Sequence, residues 1–452
     1  MATSGGSGVL LRCLLPARAH PRAERGASIP SRVVRPSKPR LLRRFGPGLI
    51  AGAADNDPSS IAMYAQAGAQ QGFAIGWTML ATLPLLAAIQ EVSARIGCAT
   101  GRGIAGNLRR YYPVMPLRGI VALLFVANTL TIAADLGVMG QTLAMSARGW
   151  PALYAIGLGV FSVVLQQRLQ YTRYVSFLKW LTLSLLAYVA VLATIHPAWP
   201  EVLRGIVAPT LHRDFGFWST MVAVMGSTIS PALLLWQSSQ EAEDARSRRD
   251  RGPTPRAVRR AADRIRLDTW IGAGYSNFVG LAIMISAAAT LHAAGVTRIG
   301  TALDVARSLE PLAGRFAAEL FALGIVGTGL LAVPVLAGSA AYALGESLTW
   351  RTGLKYRPGE AKAFYGTVAV ATILGALLNL SPIDPMNALY WSAILNDVVS
   401  VPLMAMVMSM GAAPRIVGDL AAPAVLKAAG WTATGVMAAG PIAMLLSSMG
   451  LL

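Results

Sequence analysis

The chain has 452 residues, of which 54% are apolar and only 13% charged, and its mean hydropathy is +0.53. Soluble globular chains carry about 25% charged residues, so this composition excludes an ordinary set of soluble domains and points to a domain built in lipid. The net charge of +18 then becomes a question of where the cations sit, and is not in itself a sign of nucleic acid.

Residues 1–45 are rich in Arg, with Glu24 as their one acidic residue. The composition resembles a transit peptide. The apolar piece "VLLRCLLPA" is interrupted by Arg12 and is too short for a secretory signal core. The expectation is a basic, disordered cytoplasmic tail, or a start codon assigned too far upstream.

Eleven apolar runs follow, at 46–68, 72–97, 118–143, 151–166, 174–195, 216–240, 270–294, 317–345, 363–380, 386–409 and 431–450. Most reach the ~20 residues that a spanning helix needs. The fourth and ninth are short. A large soluble helical protein would need polar helix faces, which these runs mostly lack. Residues 46–452 are expected to form one all-α integral membrane domain of about 11 transmembrane helices.

With the N-terminus inside, 33 of the 39 Lys and Arg fall in the tail and inner loops. Arg148, Arg204, Arg213, Arg298, Arg307 and Arg315 fall outside. This bias is what positive-inside insertion produces. It predicts a multi-pass protein of the plasma (inner) membrane with a cytoplasmic N-terminus. The densest basic run, Arg246–Arg266, resembles a nucleic-acid patch. A cytoplasmic loop beside anionic lipid accounts for it better, so the bilayer is the expected partner and nucleic acid is not. Cys13 and Cys98 both fall on the inner side and suggest neither a disulfide framework nor a zinc site.

Two runs carry helix breakers. The first contains "GAADNDPSSIAMYAQAGAQ", broken at Asp57-Pro58, and the sixth contains "VAVMGSTISPALLLWQSSQEAED", broken around Gly226 to Pro231. Pro removes a backbone donor and clashes with the preceding turn. Such breaks survive in a membrane only where they are buried or line a wet cavity. Breaks five segments apart predict two inverted five-helix repeats, at about 46–195 and 216–409, with an extra helix at about 431–450. The site is expected at the paired breaks. Free carbonyls, helix ends and the Asp57 carboxylate all favour a cation there. The competing role for Asp57 is to cap a half-helix or pair with a buried Arg.

"GPGLIAGAADNDPSSIAMYAQAGAQQGF" and "SARIGCATGRGIAGNLRRYYP" resemble the first segment and the second-to-third loop of Nramp metal-ion transporters. The resemblance runs through most of residues 41–410 and includes "GTGLLAVPVLAGSAAYALGE". It implies the leucine-transporter-like fold, with helices 1 and 6 unwound around a divalent cation. The departures matter as much. Where the family has Asp-Pro-Gly-Asn, this chain has Asp57-Pro58-Ser59-Ser60. Where the family has Ala-x-x-Met-Pro-His, this chain has Ser227-Thr228-Ile229-Ser230-Pro231-Ala232. Where the family has Asp-Leu-Ala-Glu, it has Asp135-Leu136-Gly137-Val138. The metal ligands implied are Asp57, Ser60, Ser227 and Ser230. The transported ion is the substrate, and no cofactor is expected.

Losing the thioether removes a soft ligand that favours manganese, iron or cadmium over magnesium and calcium. The remaining hydroxyls and carboxylate are hard donors, and small serines predict a wider cavity. Magnesium keeps several waters and binds through one or two carboxylates. The pattern is thus most similar to the Nramp-related magnesium transporter branch, with manganese also passing. The family's His and Glu positions are Ala232 and Val138, so the reading is transport without proton coupling. A divalent ion gains about 4.6 kcal/mol per 100 mV, an accumulation of order 10³-fold.

Other residues carry weaker expectations. Asp55 or Asn56 holds outer-sphere water or faces the inner vestibule. Asp135 pairs with an Arg or faces the cavity. Gln237 lines the pathway. Asn396 and Asp397 approach the cavity or bond between helices. Glu91 and Arg95 form a structural i,i+4 pair. Glu241, Glu243 and Asp244 sit at the inner boundary. Met225 is core packing. His196, His212 and His292 fall at or near outer ends and pair with nothing. Rival readings are a proton-coupled manganese or iron symporter, a sodium-coupled amino-acid symporter of the same fold, and a channel. A membrane enzyme lacks any paired His, Ser/His/Asp set or zinc spacing in the segments. The sequence leaves the oligomeric state open.

Overall fold

A computed structural model describes residues 46–168, 185–212, 214–248, 255–308, 317–382 and 385–449. The basic tail, residues 169–184 of the fifth apolar run, and residues 249–254 of the basic run lie outside the described residues, as do Arg213 and Arg315. Among the described residues every regular element is helical. The longer helices are α1 (Pro47–Asp55), α2 (Pro58–Gln71), α3 (Trp77–Thr100), α4 (Val114–Ala147), α5 (Pro151–Arg168), α6 (Leu186–Ile195) and α7 (Phe215–Thr228). They continue with α8 (Pro231–Arg248), α9 (Pro255–Ala287), α10 (Ala317–Ser347), α11 (Lys362–Leu378), α12 (Pro385–Gly411) and α13 (Ala424–Ser448). Short helices at Ile104–Tyr111, Trp199–Val207, Ala302–Arg307 and Pro414–Val417 join them.

Among the described residues seven helical stretches are long and apolar enough to cross a membrane, with Phe215–Arg246 counted as one across its break. α1 and α2 are each too short to span alone, but head to tail they run from Pro47 to Gln71. The outer surfaces are what lipid requires: Leu123, Val126, Phe161, Val164, Val370, Leu374 and Leu445 are all exposed. The inner surfaces rely on small residues, which let helix backbones approach closely. At the α1–α9 crossing a Cβ on Gly52 would overlap the backbone of Gly272.

The breaks follow from local chemistry. Asp57 has extended backbone and its side chain caps α2, whose first residue is Pro58. Pro suits that first position because its missing N–H would be unpaired anyway. Pro231 opens α8 in the same way. Two expectations need correction. Gly226 does not break the helix: it lies inside α7, and the interruption falls at Ile229–Ser230. Gly226 is there for packing, since a Cβ would strike the Ala393 carbonyl and Asp397 on α12. The described part of the basic run is also not a loop, because α8 runs to Arg248 and α9 begins at Pro255. Arg264 pairs with Glu241, which gives the polar extension of α9 a partner on α8.

Candidate functional site

The two breaks meet around a small chamber near the centre of the bundle. It is lined by Asp55, Asp57, Ser59, Ser60, Thr131, Ser227, Ser230, Ser392 and Asn396 on its polar side, and by Leu233, Val335, Leu336 and Leu389 among its apolar residues. Among the described residues, no sulfur or imidazole lines it. The centre of a water-sized sphere has about 20 Å³ to move in, which is room for roughly one water or one bare ion. Small serines do not by themselves leave a large open chamber here. The leucine and valine side chains of α8, α10 and α12 fill the space instead.

Asp57 does cap the half-helix. Its Oδ1 accepts the Ser60 backbone N–H at 2.6 Å and the Ser59 hydroxyl at 2.8 Å. Both bonds fall on one oxygen, so Oδ2 is left for the chamber. The capping bonds thus use one oxygen of the carboxylate and leave the other outside the cap. Ser59 also reaches behind the chamber: its N–H donates to Asp135 Oδ1 at 2.9 Å. Asp135 is fully buried, its Oδ2 has no partner, and it does not line the chamber.

Of the sequence-derived residues, Asp55, Asp57, Ser60, Ser227, Ser230 and Asn396 come together. Asn56, Asp135 and Gln237 lie outside the lining. Gln237 faces α9, where its amide donates to Thr269 Oγ1 at 2.9 Å, so the expected pathway position is corrected. It lies four residues past the chamber residue Leu233, on the same side of α8 but one turn further from the break. Among the described residues Asp135 has no Arg partner, and it does not line the cavity. Its bond to Ser59 replaces both alternatives. Asn56 is fully buried with neither amide atom bonded. Asp55 Oδ2 accepts from Ser276 Oγ at 2.5 Å while Oδ1 is unpaired. Asn396 donates to Thr131 Oγ1 at 3.1 Å. Its neighbour Asp397 is fully buried, with both oxygens unpartnered. Among the described residues no three of His, Cys, Asp and Glu gather as a metal cluster.

Ser59, Thr131, Ser276 and Ser392 were not singled out in the sequence. Ser392 lies four residues before the flagged Asn396, which also lines the chamber, and so on the same helix face. That spacing is the signal that would have found it.

The two ends of the bundle differ. Toward the face where α2 ends, a vestibule of about 400 Å³ is lined by Gln66, Gln70, Arg298, Ile299, Gly300, Asn387, Leu389 and Tyr390. Leu389 lines both vestibule and chamber. The face where α1 begins is closed by polar bonds. Asp268 on α9 accepts the backbone N–H groups of Gly46, Gly48 and Leu49. Glu346 accepts those of Gly103 and Gly106, and Tyr342 donates to Glu243. Glu91 and Arg95 form their i,i+4 pair at 2.7 Å on this side. His292, at the other face, lies 2.8 Å from the Ala69 carbonyl.

Comparison with known proteins follows this geometry. The natural resistance-associated macrophage protein-like (Nramp) family model matches residues 48–447. The divalent metal cation transporter MntH of Klebsiella pneumoniae is 26% identical over 403 residues, which cover 88% of this chain and 92% of that protein. The manganese transporter of Eremococcus coleocola, solved with an aromatic bis-isothiourea substituted compound, superposes with a TM-score of 0.71 at 15% identity, over 90% of this chain and 87% of that one. MhsT in complex with L-phenylalanine gives 0.60 at 13% identity, over 90% and 98%. The structural likenesses show a leucine-transporter-like fold with its first and sixth helices broken.

Proposed function

The chain belongs to the natural resistance-associated macrophage protein-like family, and from that premise we propose that it carries divalent metal cations, magnesium and manganese, across the plasma membrane by alternating access. The observation that carries this reading is the chamber at the paired breaks, which Asp57, Ser60, Ser227 and Ser230 line together without any sulfur among the described residues. Hard oxygen donors suit magnesium and manganese, and the missing thioether removes the preference for softer ions. Asp55 and Asn396 stand at the chamber as outer partners. The inverted repeats at about 46–195 and 216–409 rock against each other, with the final helix outside them. The vestibule face is the outside, because the basic loops cluster at the opposite face.

In this reading the membrane potential drives uptake, and protons are not coupled, since Val138 and Ala232 occupy the positions a relay would need. The test is flux of magnesium, manganese and calcium into liposomes carrying an internal pH dye. Saturable magnesium and manganese uptake without acidification is expected, and exclusion of both ions would overturn the reading. A proton-coupled manganese or iron symporter is favoured by one observation, the unpartnered oxygens of Asp135 and Asp397 inside the membrane. Acidification that tracks metal entry would establish that reading instead.

A further inference from the structure

We propose that the Ser59 hydroxyl is a specificity-determining group: by occupying Oδ1 of Asp57 it confines that carboxylate to one-oxygen coordination and so disfavours large divalent cations such as calcium. The inference rests on Asp57 being an ion ligand, as proposed above.

A carboxylate has about four lone-pair sites, two on each oxygen. Oδ1 of Asp57 receives the Ser60 N–H at 2.6 Å and the Ser59 Oγ–H at 2.8 Å. Both of its sites are therefore filled from within the chain. The backbone at Ser59 is pinned as well, because its N–H is held by Asp135 Oδ1 at 2.9 Å. The hydroxyl thus belongs to a fixed turn, and it is buried at 7% exposure. Only Oδ2 remains to meet an ion.

Ions respond differently to a one-oxygen carboxylate. Calcium gathers six to eight oxygens at about 2.3–2.6 Å and often takes both oxygens of one carboxylate. Magnesium holds near-octahedral geometry at about 2.0–2.1 Å and uses one or two carboxylates alongside water. Removing the Ser59 hydroxyl frees one site on Oδ1 while the Ser60 N–H stays. The carboxylate then becomes able to bind through both oxygens, and calcium gains more than magnesium.

The alternative is that Ser59 merely supports the cap of α2. A purely structural loss would weaken both ions alike. The experiment measures magnesium and calcium binding by titration calorimetry on the full chain in lipid nanodiscs. It compares wild type with Ser59→Ala, Ser59→Gly, Ser59→Thr and Asp57→Asn. Both hydroxyl-free variants are expected to raise calcium affinity relative to magnesium by about tenfold, or about 1.4 kcal/mol. Ser59→Thr, which keeps the hydroxyl, is expected to hold the wild-type ratio. A ratio that moves by less than about twofold in whichever hydroxyl-free variant is monodisperse overturns the inference. Asp57→Asn separates the two levels of the argument. If it still binds both ions, Asp57 is not the ligand. If it loses both while the Ser59 variants leave the ratio unmoved, only the role of Ser59 falls.

Discussion

Arg264 on α9 holds Glu241 on α8 through two hydrogen bonds, of 2.9 and 2.5 Å, each nitrogen meeting its own carboxylate oxygen. Glu241 is 1% exposed and Arg264 23%, so the pair is largely shielded from water. Arg264→Ala leaves a buried carboxylate alone, at a cost of about 3–5 kcal/mol. The variant is expected to melt at a lower temperature and to spend more time open at the face where α1 begins. A cysteine at Ser276 should then react faster with a thiol reagent applied from that face. Unchanged labelling would show that the pair does not hold this face shut.

Asp57→Asn keeps an oxygen that can cap α2 but removes the charge. Folding should hold, because Asn and Asp cap helices about equally well. Divalent uptake in liposomes is expected to fall by about 100-fold or more, since a charged ligand to a desolvated ion is lost. Near wild-type magnesium flux would end the assignment of Asp57 as the ion's carboxylate.

Ser230→Met should move preference from magnesium toward manganese and cadmium. The thioether supplies a soft ligand, and its bulk takes up what little space a magnesium-bound water has. Adding Ser60→Asn should lower the magnesium-to-manganese ratio further. Neither change should start proton movement, because Val138 and Ala232 remain. Competing fluxes in one liposome preparation give the ratio directly, and an unaltered ratio removes Ser230 from the selectivity argument.

A cysteine replacing the exposed Arg256, in the first turn of α9, should resist an impermeant thiol reagent in intact cells and react after permeabilisation. Labelling in intact cells would reverse the orientation and exchange the roles of the two faces.

Leu389→Ala removes side-chain volume from the wall shared by vestibule and chamber. A cysteine at Ser392 should then be reached more quickly from the vestibule side. Equal rates with and without Leu389 would mean that the wall is made by its neighbours.

Much of this fold is legible in the sequence because lipid imposes a strict length rule, and because two Pro residues mark two breaks. The spans at 317–345 and 386–409 lie within the helices Ala317–Ser347 and Pro385–Gly411. The site was legible where a polar residue stood out against apolar neighbours, as Asp57 and Asn396 do. Gln237 misled for the same reason: its amide serves a contact between helices, and sequence does not say which way a side chain points. Ser59 was legible only as a letter in a motif. Its meaning lies in which oxygen it meets, and that depends on a turn only three residues long. Gly226 appeared to be a breaker because Gly weakens helices in water, whereas between packed membrane helices its missing side chain favours contact.

α1 is joined to α9 along its whole length. Asp268 holds its first turn by three backbone N–H groups. Gly52 lies on Gly272 at its middle, and Ser276 holds Asp55 at its end. Its junction with α2, by contrast, runs through Asn56, whose side-chain amide has no partner among the described residues. The nine-residue half-helix therefore cannot swing by itself. Displacing it would carry α9 with it, as one lever two helices thick. Changes on α9 at Asp268 or Gly272, far from Asp57 in sequence, would then alter how fast the protein turns over.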